Sequence, residues 1–300
     1  MSPIRPDPSH RPGGSTHLPT VSAGAAGPGP SGTISLSIVV PARNEAEALP
    51  TLLNEIAQAF RPLVERSPDD GHRLEGFEVV LVDDASTDET PEVLTQLSVR
   101  YPELRSIRMA WNVGQSAAIV AGFREARGAY VATLDADLQN DPGDLARFWD
   151  LLPGFDAVLG WRRKREDVWT KRQISRWANR VRNAVLGQSI RDTGCSVRIF
   201  PRAVALRLPM FQGSHRFFGP LLLREGCAIR QEPVGHRPRP HGQSHYSLRN
   251  RSIRVIVDLF GVAWLMRRPV RFEVASTSTV SSQPSQHAAP SQANLARQEA

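Results

Sequence analysis

The 300-residue sequence contains little cysteine and no long apolar run. Its two cysteines, Cys195 and Cys227, are too few to form a zinc site alone, and such sparse use is typical of a reducing compartment. No uncharged apolar stretch reaches the length of about 18 residues that a membrane-spanning helix needs, so the sequence predicts no such helix. The amino terminus also lacks the apolar centre of a signal peptide.

What the sequence does contain is a hydrophobic share of 40% and a formal net charge of +7. The hydrophobic share is enough for a sizeable core, and the length fits one large domain with extended ends. The positive charge favours anionic partners such as phosphates and acidic lipid. Residues 1–33 and 271–300 are rich in small and polar residues and in proline, so we expect both segments to be disordered.

Between these ends, short apolar runs alternate with segments that carry apolar residues at helical spacing. The apolar runs are Ser35–Val40, Phe77–Val82, Leu104–Met109, Ala129–Asp135 and Asp156–Gly160. Helical spacing predicts a first helix over Glu45–Phe60, and Ser86 or Thr87 is the predicted cap of a second helix that runs to about Arg100. This alternation predicts an α/β fold with a mainly parallel central sheet flanked by helices. Sheets of this kind bind ligands beyond the carboxyl ends of their strands.

Acidic residues follow three of the predicted strands, and one pair has a suggestive spacing. Asp135 and Asp137 are separated by one small residue, and alternate side chains of an extended segment point the same way. Two such carboxylates repel each other unless a cation lies between them, and a hard divalent ion accepts oxygen ligands. The alternative interpretation is a polar turn that caps a helix beginning near Pro142.

Four segments, in this order, resemble the family 2 inverting glycosyltransferases with a GT-A fold. They are VVPARNEAEALP, VVLVDDASTDET, NVGQSAAIVAGFREARGAYVATLDADLQNDP and DTGCSVRIF. Within that family the chain is most similar to the polyprenol-phosphate group, of which dolichol-phosphate mannosyltransferase is typical. The resemblance covers about residues 35–266 and implies a GT-A domain over residues 34–250.

The resemblance implies a binding site for a nucleotide-diphospho-sugar at the strand ends. Pro41, Arg43 and Glu45 match the loop that lines the nucleotide in similar proteins. Val82 and Asp84 match the pair that contacts the base and ribose. A carboxylate suits this role because it accepts hydrogen bonds from ring N–H or ribose O–H groups.

The resemblance also implies a metal and diphosphate site. Asp135, Ala136, Asp137 and Gln139 match the segment that contacts them, with Mg²⁺ or Mn²⁺ bound by Asp135 and Asp137. Arg162 matches a family arginine near the phosphates. Without the resemblance, Arg162 would be interpreted as a surface arginine.

Two further residues are implied at the acceptor. An aspartate at the position of Asp192 is proposed, in similar bacterial enzymes, to act at the acceptor phosphate or as a catalytic base. A phosphate monoester is already anionic near neutral pH, so its alignment matters more than a strong base. Arg198 is a candidate phosphate ligand because guanidinium binds phosphate through two parallel hydrogen bonds, although it could instead form a structural ion pair. With Asp137, these are the predicted catalytic residues.

The segment EPVGHRPRPHGQSHYS resembles the family pattern Arg-x-x-Gly-x-Ser-Lys, a loop that closes over the diphosphate. Arg239 matches the arginine of the pattern. Arg239 and His245 are expected to contact the donor. His245 stands where the family usually has lysine. Lysine is a fixed cation, whereas histidine titrates near neutral pH, so this departure changes the charge that the loop presents to the leaving diphosphate.

Two segments predict contact with a membrane surface. A strongly basic stretch predicts an amphipathic helix over about Trp169–Leu186, for which a merely solvated face is the alternative. Residues 251–270 predict an interfacial helix, because their apolar part is shorter than the span of about 20 residues and is interrupted by charges. The alternative for this second segment is a helix packed on the core.

We therefore predict an inverting glycosyltransferase that moves a sugar from a nucleotide-diphospho-sugar to a dolichyl- or undecaprenyl-type phosphate. We expect it at the cytoplasmic face of the membrane, attached peripherally or through a membrane-anchoring partner protein, with no nucleic acid bound. One alternative is a GT-A enzyme with a sugar or other non-prenol acceptor, for which Asp192 is the candidate general base. The other is a non-catalytic basic protein that binds membrane or nucleic acid.

Overall fold

The computed structural model describes residues 35–67, 72–163, 185–187, 190–238 and 249–268. Its strands are β1 (Leu36–Ala42), β2 (Phe77–Asp83), β3 (Leu104–Arg108), β4 (Tyr130–Thr133), β5 (Ala157–Arg162), β6 (Arg198–Pro201) and β7 (Ile229–Val234). Its helices are α1 (Leu49–Glu65), α2 (Thr90–Arg100), α3 (Gln115–Glu125), α4 (Pro142–Trp149), α5 (Arg202–Ala205), α6 (Phe218–Arg224) and α7 (Arg249–Met266). All of these elements belong to one compact unit that extends to Arg268.

The strands form one sheet in the order β3-β2-β1-β4-β6-β5-β7. Strands β1 to β4 pair in parallel with one another, and β5 pairs in parallel with β7. Strand β6 runs antiparallel to both of its neighbours, β4 and β5. The prediction of a mainly parallel sheet flanked by helices is therefore confirmed.

Strand β1 reads as an almost continuous apolar run because both of its faces are covered by helices. Ile38 and Val40 pack into one core layer with Ile56 of α1. Val39, between them, packs into the opposite layer with Phe123 of α3. Both faces of β1 are therefore buried, and the hydroxyl of its polar residue, Ser37, donates to Glu78 Oε1 at 2.7 Å.

Two helices begin later than the sequence pattern predicts. Helix α1 was expected from Glu45 but begins at Leu49, where Pro50 is favoured in the first turn because its missing N–H needs no partner there. The same helix continues one turn beyond its expected end because Leu63 is buried. Helix α2 begins at Thr90, whose N–H donates to the Asp88 side chain at 3.1 Å, rather than after the predicted serine or threonine cap.

The direction of β6 decides where the functional residues lie. Because β6 is antiparallel, its amino end lies at the carboxyl ends of β4 and β5, and Arg198 is in register with both Thr133 and Leu159. The Thr133 hydroxyl donates to the Ser196 carbonyl just before β6. The segment 190–198 is thereby brought to the same edge as the acidic segment after β4.

Several predictions lie outside the described residues. They are the disorder of residues 1–33 and 271–300, most of the basic helix over Trp169–Leu186, and the roles of Arg239 and His245. Among the helices that the structure describes, none combines the length and the apolar character needed to cross a bilayer.

Candidate active site

Strained backbone marks the carboxyl edge of the sheet. Asn44 lies just beyond β1 with φ 55°, Ala85 lies just beyond β2 with φ 54°, and Leu138 lies beyond β4 with φ 60°. Non-glycine residues in this left-handed region are disfavoured by their Cβ atoms, and they persist where the surroundings fix them, commonly at functional sites. The edge at which the sequence predicts ligand binding is thus also where the backbone is most constrained.

The loops after β1 and β2 are hydrogen-bonded to each other. The Asn44 N–H donates to the Ser86 hydroxyl at 2.9 Å, and the Thr87 N–H donates to Asn44 Oδ1 at 2.8 Å. The Glu45 N–H donates to the Thr90 hydroxyl at 3.1 Å. These contacts hold the two loops as one surface.

The predicted nucleotide residues lie on this surface. Pro41 and Val82 are direct neighbours in the register of β1 and β2. Val82 is buried, Pro41 and Glu45 are partly exposed, and Arg43 is exposed. The structure therefore brings these four residues together at one end of the sheet, on either side of the β1–β2 pairing.

Asp84 is buried and binds the loop before α3. Its two carboxylate oxygens accept the N–H groups of Val113 at 2.7 Å and Gly114 at 2.9 Å. Each carboxylate oxygen has more than one lone pair, so these bonds leave acceptor capacity for a ligand. Asp84 therefore orders this loop in addition to the nucleotide contact that the resemblance assigns to it.

Asp135 and Asp137 follow β4 and face different partners. The Gln115 side chain, at the start of α3, donates to Asp135 Oδ1 at 2.9 Å. The Gln139 N–H donates to Asp137 Oδ1 at 3.2 Å. Ala136, between them, is buried in the core. The turn that carries both acids is thus tied to α3 on one side and closed on itself on the other.

The charged form of Asp135 is disfavoured by its surroundings. Burial, and then the neighbouring Asp137, raise the pKa of Asp135 above its ordinary value, although Ser196, Arg198 and Arg162 act in the opposite direction. A divalent cation relieves such repulsion, and carboxylate oxygens are the ligands that Mg²⁺ and Mn²⁺ prefer. This donor pair therefore fits a hard divalent ion. In the described part of the chain, no set of three or more acidic, histidine or cysteine side chains is grouped to hold a metal.

Arg162 and Asp192 form a bidentate ion pair. Arg162 Nε lies 2.7 Å from Asp192 Oδ2, and Arg162 Nη2 lies 3.0 Å from Asp192 Oδ1. Both side chains are only 16% exposed. Burial opposes the charge of Arg162, but its hydrogen bonds to Asp192 and the charge of that carboxylate outweigh burial and raise its pKa. Arg162 is therefore a partly buried, paired group and not a surface arginine.

Arg198 lies deeper, at the start of β6. Its Nη2 donates to the Thr193 carbonyl at 3.1 Å, and its guanidinium carbon lies 4.8 Å from the centre of the Phe218 ring. Burial lowers the pKa of Arg198, whereas Cys195, Asp135 and Asp192 act in the opposite direction. Among the described residues no carboxylate lies within 4.0 Å of its guanidinium, so the alternative of a structural ion pair is not what the structure shows.

The structure thus separates the predicted residues into two groups at one edge. The first group, in the last residues of β1 and β2 and just beyond them, is Pro41, Arg43, Glu45, Val82 and Asp84. The second group, around β4, β5 and β6, is Asp135, Ala136, Asp137, Gln139, Arg162, Asp192 and Arg198. The positive charges of Arg162 and Arg198 both act on Asp135, so acidic and guanidinium groups influence one another within the second group.

Sequence reasoning missed three polar residues of this site. Gln115 contacts Asp135, as described above, and the Asn140 side chain donates to the Ser196 hydroxyl at 3.0 Å. All three lie inside the segments that carry the family resemblance, which is the signal that could have selected them. Their contacts link the turn after β4 to α3 and to the start of β6.

The sheet topology and the acidic turn beyond β4 define the GT-A class of folds, as predicted. Residues 37–208, more than half of the chain, match the sequence profile of the family described as Glycosyl transferase family 2. The chain belongs to this family, which confirms the resemblance.

Curated relatives cover most of the chain. The chain is 34% identical over 248 residues to a dodecaprenyl-phosphate galacturonate synthase of Rhizobium johnstonii. This match spans 81% of the chain and 70% of the relative. It is 33% identical over 239 residues to an undecaprenyl-phosphate 4-deoxy-4-formamido-L-arabinose transferase of Aeromonas hydrophila, which spans 79% of this chain and 69% of the relative.

Solved structures of more distant proteins share the fold. Glucosyl-3-phosphoglycerate synthase from Mycobacterium tuberculosis, in complex with phosphoglyceric acid, has a TM-score of 0.56 at 19% identity, covering 77% of this chain and 80% of that one. Mannosyltransferase PcManGT from Pyrobaculum calidifontis, in complex with GDP-Man and Mn²⁺, has a TM-score of 0.53 at 22% identity, covering 79% of this chain and 66% of that one.

Proposed function

We propose that this glycosyltransferase moves a sugar from a nucleotide-diphospho-sugar to a polyprenyl phosphate, with inversion at the anomeric carbon. The observation that carries the proposal is the placement of a buried guanidinium, Arg198, beside the acidic turn of Asp135 and Asp137. One group suits an anionic acceptor and the other suits a metal-bound diphosphate. Two relatives at 33–34% identity are named for transfer to dodecaprenyl or undecaprenyl phosphate, which supports the acceptor class.

The donor lies across the ends of β1, β2 and β4 in this proposal. Pro41, Arg43, Glu45, Val82 and Asp84 surround the nucleotide, and Gln139 contacts the diphosphate. Asp135 and Asp137 would hold Mg²⁺ or Mn²⁺, which when bound neutralises charge that builds on the leaving diphosphate. Arg239 and His245, outside the described residues, are proposed as further ligands of the diphosphate.

The acceptor phosphate binds at the second group. Arg198 supplies a desolvated positive charge that a phosphate oxygen can pair with, and Arg162 is held in place by Asp192. An oxygen of the lipid phosphate attacks the anomeric carbon from the face opposite the diphosphate. The new carbon–oxygen bond forms as the bond to the diphosphate breaks, and the diphosphate leaves with the bonding electrons.

Asp192 acts as a positioning group and not as a strong base in this scheme. The attacking phosphate oxygen is already ionised near neutral pH, so no proton has to be removed from it. The bidentate contact to Arg162 fixes the guanidinium plane, and alignment of the phosphate against the sugar carbon supplies the rate enhancement. A hydroxyl acceptor would instead require Asp192 to accept a proton.

The outer face of α7 supports attachment to a membrane surface. Phe260 is 62% exposed and Trp264 is 58% exposed, whereas Val262 and Ala263 on the other face are buried. The Arg268 guanidinium lies 5.2 Å from the Trp264 ring centre. Exposed aromatic side chains beside arginine suit the headgroup region of an anionic bilayer. We propose peripheral binding at the cytoplasmic face, with no nucleic-acid partner; an anchoring protein is the competing occupant of this face.

A thermal-shift screen with Mg²⁺ or Mn²⁺ selects the nucleotide sugars that bind, since a ligand of the folded state raises the melting temperature of the protein. The activity is then tested by incubating the protein and membranes with the selected nucleotide sugars in radiolabelled form. Label that enters an organic-solvent extract identifies a lipid acceptor, and label in a water-soluble product identifies the alternative acceptor class. Asp137→Ala should lower transfer at least about 1,000-fold while the protein stays folded. Near-normal transfer by this variant would refute the assignment.

Membrane binding is tested separately by vesicle sedimentation. The variant Phe260→Ser/Trp264→Ser should bind phosphatidylglycerol-containing vesicles at least about 10-fold less tightly, because it loses two large apolar groups. Val99→Ser is the matched control, since Val99 is 88% exposed on α2, outside the proposed surface. Equal binding by all three proteins would exclude α7 as the contact.

A further inference from the structure

Arg237, just beyond β7, binds two acidic residues from different parts of the chain. Its Nη1 lies 2.8 Å from Glu55 Oε1 on α1, and its Nη2 lies 2.9 Å from Asp141 Oδ2 at the start of α4. We propose that Arg237 is a positioning residue that holds the turn carrying Asp137 in its metal-binding geometry. This inference rests on the proposed metal role of Asp137.

The backbone of Arg237 binds the same turn as its side chain. The Arg237 N–H donates to the Gln139 carbonyl at 2.8 Å. Two residues earlier, the Gly235 N–H donates to Asp144 Oδ2 at 2.7 Å. The chain that leaves β7 is thus bound along the whole stretch from Gln139 to the first turn of α4.

The turn needs support because its backbone is strained. Leu138 has φ 60° and lies between the metal-binding Asp137 and Gln139. A leucine keeps this conformation only if its neighbours fix it. The buried Leu138 side chain fixes the turn from the core, and the Asn140 contact with Ser196 fixes it from the side of β6. Arg237 supplies a further contact, from the side of β7.

The charges show what removal of Arg237 would do. Glu55 and Asp141 bind the same guanidinium, so without it two carboxylates would face each other across the position it leaves. Asp141 also caps α4, since its Oδ1 accepts the Gly143 N–H at 2.8 Å. Repulsion from Glu55 would therefore displace the residue that links the Asp137 turn to α4.

A purely structural ion pair would give a different result from a positioning contact. The Arg237 side chain is 42% exposed, and pairs as exposed as this contribute little to the stability of the fold. We therefore expect its loss to change the metal site and leave the melting temperature nearly unaltered. Residues that support metal ligands from behind commonly change metal affinity by about 10-fold or more.

The test is Mn²⁺ binding by the full chain, followed by electron paramagnetic resonance with Mn²⁺ alone and with UDP or GDP added. Arg237→Ala should weaken Mn²⁺ binding about 10-fold. Adding Glu55→Gln to that variant should restore part of the affinity, because it removes the repulsion. Arg61→Ala is the matched control, since Arg61 forms an exposed pair with Glu103 at 3.0 Å from the same helix, α1.

Mn²⁺ affinity of Arg237→Ala equal to that of the wild type, with binding lost in Asp137→Ala, would overturn the role of Arg237 and leave the proposed function intact. Wild-type Mn²⁺ binding by Asp137→Ala would instead overturn the metal site itself. If Arg237→Ala does not fold, Arg237→Gln, which keeps a polar side chain without the charge, is measured against the same criteria.

Discussion

The two halves of the ligand edge each hold a buried or partly buried aspartate, but the groups that bind the two carboxylates differ. In the half formed by β1 and β2, Asp84 is bound by the backbone N–H groups of Val113 and Gly114. In the half formed by β4, β5 and β6, Asp192 is bound by the guanidinium of Arg162. Backbone dipoles leave the full negative charge of a carboxylate in place, whereas a guanidinium cancels it.

This difference assigns a different ligand chemistry to each half. A charged carboxylate on a fixed loop recognises N–H and O–H donors, which bases and riboses present. In the other half, Arg162 pairs with Asp192, whereas the guanidinium of Arg198 has no carboxylate within 4.0 Å among the described residues, and such a guanidinium suits phosphate. In the proposed function, the two halves therefore present groups of opposite sign to the nucleotide and to the acceptor phosphate.

Within this comparison, the largest expected loss of stability comes from removing one partner of the ion pair between Arg162 and Asp192. Arg162→Ala removes the guanidinium that pairs with the partly buried Asp192, so we expect a loss of about 2 kcal/mol in unfolding free energy, discounted for the 16% exposure of both side chains. Transfer should fall about 100-fold or more. Urea unfolding and the radiolabel assay measure the two effects.

The double variant Arg162→Ala/Asp192→Ala sharpens the result. It should recover most of the lost stability, because the carboxylate is removed together with its guanidinium partner, but none of the activity. Stability losses that simply add would show that the two side chains do not interact, which contradicts the bidentate geometry.

A smaller effect is expected from the acid bound to backbone. Asp84→Ala leaves two N–H groups without their acceptor, so we expect a loss of about 1–2 kcal/mol in unfolding free energy and a raised KM for the donor. Asp84→Asn keeps one acceptor oxygen and should lose about half as much. If Asp84→Asn behaved like the alanine variant in stability, the negative charge, and not the hydrogen bonding, would be what holds the loop.

The two buried thiols predict how stability changes in alkali. Burial raises the pKa of Cys195 to about 11 and that of Cys227 to about 12. The thiols of the unfolded chain ionise at about pH 8.5. Above that pH the unfolded chain binds fewer protons than the native protein, so the free energy of unfolding falls as pH rises. The contribution is fully present below about pH 8.5. Urea unfolding at about pH 8 and pH 10 should show this fall, and Cys195→Ala/Cys227→Ala should flatten it.

The smallest effect is a gain in stability at a strained position. Ala85 has φ 54°, which glycine adopts without a Cβ clash. Because glycine also adds freedom to the unfolded chain, Ala85→Gly should stabilise by only about 0.5 kcal/mol, seen as a rise of about 1–2 °C in melting temperature. A lower melting temperature would mean that the Ala85 methyl packs favourably enough to outweigh the strain.

The sequence was sufficient for the strands that are buried on both faces. β1 and β2 were predicted to within two residues, because continuous apolar runs bounded by turns need no information from elsewhere in the chain. Strands β6 and β7 were not predicted. β6 has four residues, includes Arg198, and pairs with segments that lie far away in sequence, so no local period reveals it.

The site was predictable to the same extent. The spacing of Asp135 and Asp137 indicated a paired acidic site from local geometry alone. The contact between Arg162 and Asp192, and the burial of Arg198, depend on the direction of β6 and were not predicted. The family resemblance indicated only that these three residues belong to the site. Arg237 lies in no pattern of its own, since its partners Glu55 and Asp141 come from helices α1 and α4.

The pair of Arg162 and Asp192 has one more consequence, for the chain that lies between them. The two residues are 30 positions apart, yet their side chains touch. Their contact brings the chain that leaves β5 back to the same point before β6. Loop-closure entropy grows slowly with the number of residues between two contacting points. A change in the length of the segment between Arg162 and Asp192 would therefore alter the free energy of closing it only slightly.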